Sequence, residues 1–305
     1  FCLFFFNNPK NPKKPRQLMI LWSIKNVKEI YCNYLKIRAD NSRDRSKLDG
    51  VVATWYFDGD KMHHNFLLER CNLYVSDKKL STDSIPSSSF SINKAENTVR
   101  IGDNFKFIAE AEGNNLFTRP TYNSDIYFAN KGYSVIRTNY LRLGGEVQDK
   151  PIQGSAYFQR VFVNGPSVPW YWGIFHFESG AVLSYFNPYL FGKSFKRDVA
   201  FFDGSRVYSL GNMKIKKSGK VTPTFTVSAE NKDEKIDFTV NAYSHSSWTF
   251  KGKPLGFIPT KLVYNEYPAV ISDFIFKNKK TGEKITSEDL GKSMGNAEHT
   301  TGVLF

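Results

Sequence analysis

Short segments rich in Phe, Tyr, Val and Ile, each closed by a turn signal, recur along most of this chain. That rhythm limits the fold more than any other feature. "VVATWYF" runs into "DGD", and "HNFLLERCNLYV" runs into "SDKK"; "SSSFSIN", "TVRIG" and "NFKFIAEAE" follow. Beyond the polar gap "GNNLFTRPTYNSD" come "IYFA", "GYSVIRTNYLRLGGEV" and "GSAYFQRVFVNGPS". The dipeptides Asp58-Gly59, Asn164-Gly165, Ser179-Gly180 and Asp203-Gly204 stand where hairpins would turn. The 27 Phe and 16 Tyr among 305 residues favour strands. Helical periodicity is scarce: Asn26 to Ile37 is the best amphipathic helix candidate, and "TSEDLGKSM" is one further turn. The expected class is all-β with few short helices, and strands spaced at roughly 8–12 residues suit a barrel or a sandwich.

The Pro- and Gly-punctuated basic stretch "NPYLFGKSFKRD" reads as a linker and divides the chain near residue 193. The expected organisation is a basic N-terminal extension over 1–45, a first β domain over 46–193 and a second over 194–305. The extension begins with Phe rather than Met. It is set aside as an upstream addition, with Met19 as the candidate true start. Phe1 to Phe6 is too short to span a bilayer, and no later segment approaches 18 uninterrupted apolar residues. A soluble body, in the cytoplasm or against a membrane surface, is the expectation, with no stable membrane insertion.

Charge and cysteine usage narrow the function classes. The net charge of +13 invites a phosphate-binding reading. Yet residues 1–50 hold 11 Lys and Arg against four Asp and Glu, so more than half of the excess lies in that segment. No RNP-type motif appears, and nucleic acid is not expected as a partner. Three cysteines (Cys2, Cys32 and Cys71) without a CxxC pair argue against a disulfide framework. His63 and His64 are neighbours on a strand and face opposite ways, so no metal site is expected. Gly-rich phosphate loops, GxSxG and HExxH are absent, and no cofactor is expected.

The stretch "VPWYWGIFHFESGAVLSYF" is the densest aromatic run. Alternation places Trp170, Trp172, Ile174, His176 and Glu178 on one face of a strand, and Tyr171, Gly173, Phe175 and Phe177 on the other. Two readings follow. In one, Trp170, Trp172 and Ile174 line an apolar pocket, with His176 and Glu178 at its polar end. In the other, the strand is packed between layers and Glu178 sits at a solvated turn. Upstream, Tyr157 and Gln159 share a face and could hold a polar group of a ligand inside a barrel. At the C-terminus, Glu298 and His299 point to opposite faces. A Glu298 placed inside a barrel would have a shifted pKa and suit acid chemistry.

Three motifs carry a family resemblance, in order, over about Gly50 to Phe305. They are "TWYFDG" with Trp55, Gly154-x-Ala156-Tyr157-x-Gln159 followed by Trp170-Tyr171-Trp172-Gly173, and "GNAEHTTGVL" with Glu298. The chain thereby resembles the carotenoid 1,2-hydratase superfamily, which includes AttH-type proteins and fungal decalin-forming Diels–Alderases. The resemblance implies two consecutive lipocalin-like antiparallel barrels packed together, the aromatic stretch forming the last hairpin of the first. It also implies a small hydrophobic ligand, isoprenoid or polyene-like, in a barrel cavity walled by Trp55, Trp170, Trp172, Ile174 and Tyr185.

The departures concern the chemistry. Where the hydratases carry the aspartate thought to protonate an alkene, this chain has Gln159, and an amide is no proton donor. The family's His-x-Trp pair has no counterpart near "NNLFTRPTY", and Ala53-Thr54 replaces its first-strand Glu-Trp. If the protein is an enzyme, a hydratase (lyase) or an isomerase or cyclase acting on an apolar alkene is implied, with Tyr157, Gln159, Glu298 and His176 as the catalytic candidates. The alternative is a non-catalytic structural or partner-binding β protein whose barrels are filled by side chains.

Overall fold

The computed structural model describes residues 1–24, 29–38, 44, 46–93, 96–111, 131–253 and 257–304, and residues 121–128 through their backbone. The chain is nearly all-β, and its one α-helix among the described residues is the single turn Ser287–Leu290 expected from "TSEDLGKSM". None of the described helical segments is long and apolar enough to cross a membrane. Its contacts define two units. The first comprises 1–167, 248–261 and 304–305, and the second comprises 168–247 and 262–303. The break therefore falls before the aromatic stretch rather than near residue 193, so Trp170–Phe177 belongs to the second unit and not to a first-barrel hairpin.

The first unit contains a closed, up-and-down barrel of ten antiparallel strands. In chain order they are Cys2–Phe6, Arg16–Ser23, Lys47–Phe57, Met62–Val75, Lys79–Thr82, Ser88–Asn93, Glu96–Ile101, Phe105–Glu110, Lys131–Val147 and Gly154–Asn164. Each pairs with the next, and the last returns to the first in the register Cys2↔Phe158 to Phe6↔Gly154. The segment set aside as an extension is thus where the barrel closes, which leaves the sheet without an edge there. Its sequence suits the role. Cys2, Phe4 and Phe6 alternate into the core, and Phe4 stacks on Phe107 with ring centroids 4.1 Å apart. Opposite Phe4 the closing strand offers the small Ala156.

The same unit holds a hairpin where an amphipathic helix was expected. Within Asn26 to Ile37, residues 26–28 lie outside the described set. Glu29–Cys32 and Leu35–Arg38 form two strands about a turn at Asn33, whose φ is 53°. Asn33 tolerates that left-handed conformation because its short side chain bonds locally or across. Its Oδ1 accepts from the Thr249 backbone N–H at 2.8 Å, and its own N–H donates to the Thr249 carbonyl at 2.8 Å. Tertiary pairing has overridden a weak helical pattern.

The second unit is built on a nine-strand path of one larger sheet, and that path rolls on itself. Its path runs Val207–Leu210, Asp198–Phe202, Val182–Leu190, Trp170–Phe177, Ser293–Val303, Thr260–Asn278, Glu234–Ala242, Thr224–Glu230 and Lys214–Ser218. The two end strands are joined by residues 211–213 alone. A flat sheet would hold them about 38 Å apart, whereas that connection spans at most about 14 Å. The ends must therefore meet. The seam is bridged where the Glu230 N–H donates to the Gly211 carbonyl at 3.2 Å and Asn231 Nδ2 donates to the Ser209 carbonyl at 3.1 Å. Inside lie Phe175, Phe177, Leu183, Tyr185, Phe201, Phe225, Phe238 and Phe276.

Gly173 shows how tight this core is. A Cβ there would lie 2.5 Å from Cε1 of the Tyr185 ring, which is buried against Phe175 and Phe238 and has no room to retreat. Gly173→Val is expected to destabilise the protein by roughly 2 kcal/mol or more through overpacking. Urea unfolding monitored by tryptophan fluorescence measures this, and an unchanged midpoint would contradict the packing described.

Candidate functional site

Strand alternation decides which candidate side chains can meet. On Gly154–Asn164, Ala156 and Phe158 point into the first barrel's core, so Tyr157 and Gln159 point away from it. The pair does come together: Tyr157 Oη donates to Gln159 Oε1 at 2.8 Å, and Tyr157 is fully buried. The expectation that they line the barrel interior is corrected by the phase of the strand. Large Phe4 requires small Ala156 opposite it, and that choice fixes every other residue of the strand. Trp55 is likewise buried on the face opposite its core neighbour Tyr56.

In the second unit the expected face sets hold, and the core takes the other one. Tyr171, Phe175 and Phe177 belong to the core cluster, whereas Trp170, Trp172, Ile174 and His176 lie on the opposite face. Trp172, Ile174 and His176 are buried there. Glu178 accepts from the Lys292 backbone N–H at 3.0 Å and is largely exposed, as a solvated turn residue. Tyr185 sits in the core with Phe175, apart from the two tryptophans. Its buried hydroxyl has no hydrogen-bond partner among the described residues.

Glu298 is the candidate around which functional groups gather. It faces away from the core cluster, on the strand beside Trp170–Phe177, in the register Trp172↔Glu298. Trp170 Nε1 donates to its Oε2 at 2.7 Å, and the Tyr264 hydroxyl donates to its Oε1 at 2.6 Å. Trp170 and Tyr264 also pack ring to ring, with centroids 5.6 Å apart. Burial raises the Glu298 pKa to about 7, against the pull of the two donors, which favour the ionised form.

A second carboxyl lies two residues along from Tyr264. Glu266 is fully buried; its Oε2 accepts from Asn296 Nδ2, and its carboxyl also meets the Tyr264 hydroxyl. Burial and the charge of Glu298 push its pKa well above the carboxylate range. Burial and the neighbouring carboxyl both disfavour a second negative charge here, so the pair holds a proton well above the ordinary carboxylate range. No ion pair joins either carboxyl to a cation among the described residues. The two acids are held by neutral donors alone.

The sequence reading missed Tyr264, Glu266 and Asn296. A usable signal was present in "TKLVYNEYPAV", where alternation puts Tyr264 and Glu266 on one strand face, a carboxylate in an otherwise apolar run. What could not be read was that this strand pairs beside Ser293–Val303.

His299 faces the other way, as the alternation of adjacent residues requires. It stacks on Tyr171 at 4.2 Å, with the rings 6° from parallel. Its Nε2 lies 3.0 Å from Tyr189 Oη, which itself donates to the Thr300 carbonyl, so Nε2 carries the proton and Nδ1 accepts from Lys217 Nζ at 3.2 Å. Burial and the nearby Lys217 charge depress its pKa to about 4, and the imidazole is neutral. Among the described residues no three His, Cys, Asp or Glu side chains are grouped as a metal ion requires.

Compared with known proteins, the chain matches no family model and no curated sequence.

Proposed function

We propose that this protein binds an apolar, alkene-like ligand beside Glu298 and protonates it there, as a hydratase- or cyclase-like acid. One observation carries the reading: Glu298 is a buried carboxyl poised near neutral pH and held by Trp170 and Tyr264, with a second buried acid next to it and no counter-cation among the described residues. Two buried acids stabilise a fold poorly, and a pKa matched to the working pH is what proton transfer needs. The step balances simply. The alkene π pair takes the Glu298 proton to form a C–H bond, leaving a carbocation. Water or a second π bond of the ligand captures the cation, and the proton released returns to the Glu298 carboxylate. Trp170 and Tyr264 supply ring faces that stabilise a passing cation. The resemblance to the carotenoid 1,2-hydratase superfamily supports the ligand class. Gln159, bonded to Tyr157, leaves the acid role to Glu298.

A second reading has its own support. The barrel core of the first unit and the core of the second unit's rolled sheet are filled largely by aromatic side chains, as in a structural or partner-binding protein. Incubation with an isoprenoid polyene in D2O separates the two. The proposed function gives polyene binding with one deuterium gained per product molecule, and a Glu298→Gln variant that binds without exchange. Absence of polyene binding and of any solvent-extractable lipid would establish the second reading, and equal deuterium uptake by the variant would remove Glu298 as the acid.

A further inference from the structure

We propose that Lys217 and Tyr267 form a binding site for the carboxylate headgroup of a ligand with an apolar tail, at the end of the second unit's rolled sheet. The site is independent of the Glu298 reading, because its side chains share the core face with His299, opposite to Glu298. Lys217 Nζ donates to Tyr267 Oη at 3.2 Å and to His299 Nδ1 at 3.2 Å. An ammonium has three N–H donors, and the third finds no acceptor among the described residues. No carboxylate pairs with Lys217 among them either. Its neighbours are the neutral His299 and the ring faces of Tyr267 and Phe225, whose centroids lie 5.3 and 6.0 Å away. Burial alone lowers the Lys217 pKa, with no carboxylate raising it.

Tyr267 supplies the second observation. It is 1% exposed, its oxygen accepts from Lys217, and its own proton reaches no acceptor among the described residues. Buried hydroxyl donors are satisfied in nearly all structures, so an idle one calls for an explanation. Two idle donors on atoms 3.2 Å apart, one of them cationic, match the two oxygens of one carboxylate. His299 cannot take the role. Its Nε2 is committed to Tyr189 and its Nδ1 to Lys217, which leaves the positive charge of Lys217 uncompensated. The rings of Phe225 and Tyr267 face Lys217, and half-buried Tyr171 packs on Phe225, an apolar margin that suits a tail rather than a small hydrated anion.

Calorimetric titration of the full chain with dodecanoate, dodecanol and acetate at constant ionic strength tests this. Dodecanoate is expected to bind at least tenfold more tightly than dodecanol, with acetate weaker than both. Lys217→Met should abolish the preference while leaving dodecanol affinity unchanged, Tyr267→Phe should reduce it several-fold, and Glu298→Gln should preserve it. Equal affinity for dodecanoate and dodecanol in the wild-type protein, or binding of neither, would overturn the proposal and leave a solvated lysine. A preference that persists in Lys217→Met would place the carboxylate elsewhere and overturn it equally.

Discussion

A chain that starts at Met19 is expected to lose the first barrel. The truncation removes the whole of Cys2–Phe6, together with Leu18 of the next strand. It leaves Gly154–Asn164 and the remaining residues 19–23 facing each other across a missing strand, with both hydrogen-bonding edges bare. It also removes Phe4 and Phe6, which pack on Phe107 and Tyr56 inside the barrel. Truncating one buried Phe to Ala costs about 3–5 kcal/mol. Losing two, with a strand's backbone bonds, matches the roughly 5–15 kcal/mol that holds a whole domain. Limited proteolysis of the truncated and full chains is the check. New cleavage between residues 47 and 164 is expected in the truncated chain alone, and an identical digestion pattern would contradict the closure described.

The second large effect is a pH dependence set by the buried acids. The Glu298 carboxyl has its ordinary value in the unfolded chain, 4.5, and about 7 in the folded protein. The folded state therefore binds more protons between those values, and stability falls as pH rises through that window. Glu298's contribution is full below pH 4.5 and is lost, about 3 kcal/mol, above pH 7. Glu266 adds a loss of the same sign, reaching to higher pH. Urea unfolding at pH 5 and pH 8 should show the wild type less stable at pH 8 and a shallower loss in Glu298→Gln, whereas the Glu266→Gln/Glu298→Gln double variant should gain stability towards pH 8, because buried His299 binds its proton less readily than in the unfolded chain. A wild-type profile that rises from pH 5 to pH 8 would contradict the burial of these carboxyls.

The sequence made the class of fold legible through strand-length aromatic segments and their turns. Gly59, Gly165, Gly180 and Gly204 all take the positive φ that their hairpin dipeptides suggest. Face sharing was legible as well, because alternation is a property of the strand alone. Trp170, Trp172, Ile174 and His176 do share a face, and Glu298 and His299 do oppose each other. Which face meets a core was not legible. It is settled by partners far away in sequence, as when Phe4 selects Ala156 and turns Tyr157 outward. The same limit hid Glu266 and Tyr264, which reach Glu298 from a strand about 30 residues upstream. Phe1 to Phe6 was read by its position and composition, and its alternation, which fits a barrel strand, carried the truer signal.

The central claim is that Glu298 holds its proton up to neutral pH, and it can be read directly. In protein labelled with 13C at the glutamate side-chain carboxyls, the resonance assigned by its loss in Glu298→Gln should titrate with a midpoint near 7. A midpoint in the ordinary carboxylate range, close to 4.5, would contradict the claim and the acid role built on it.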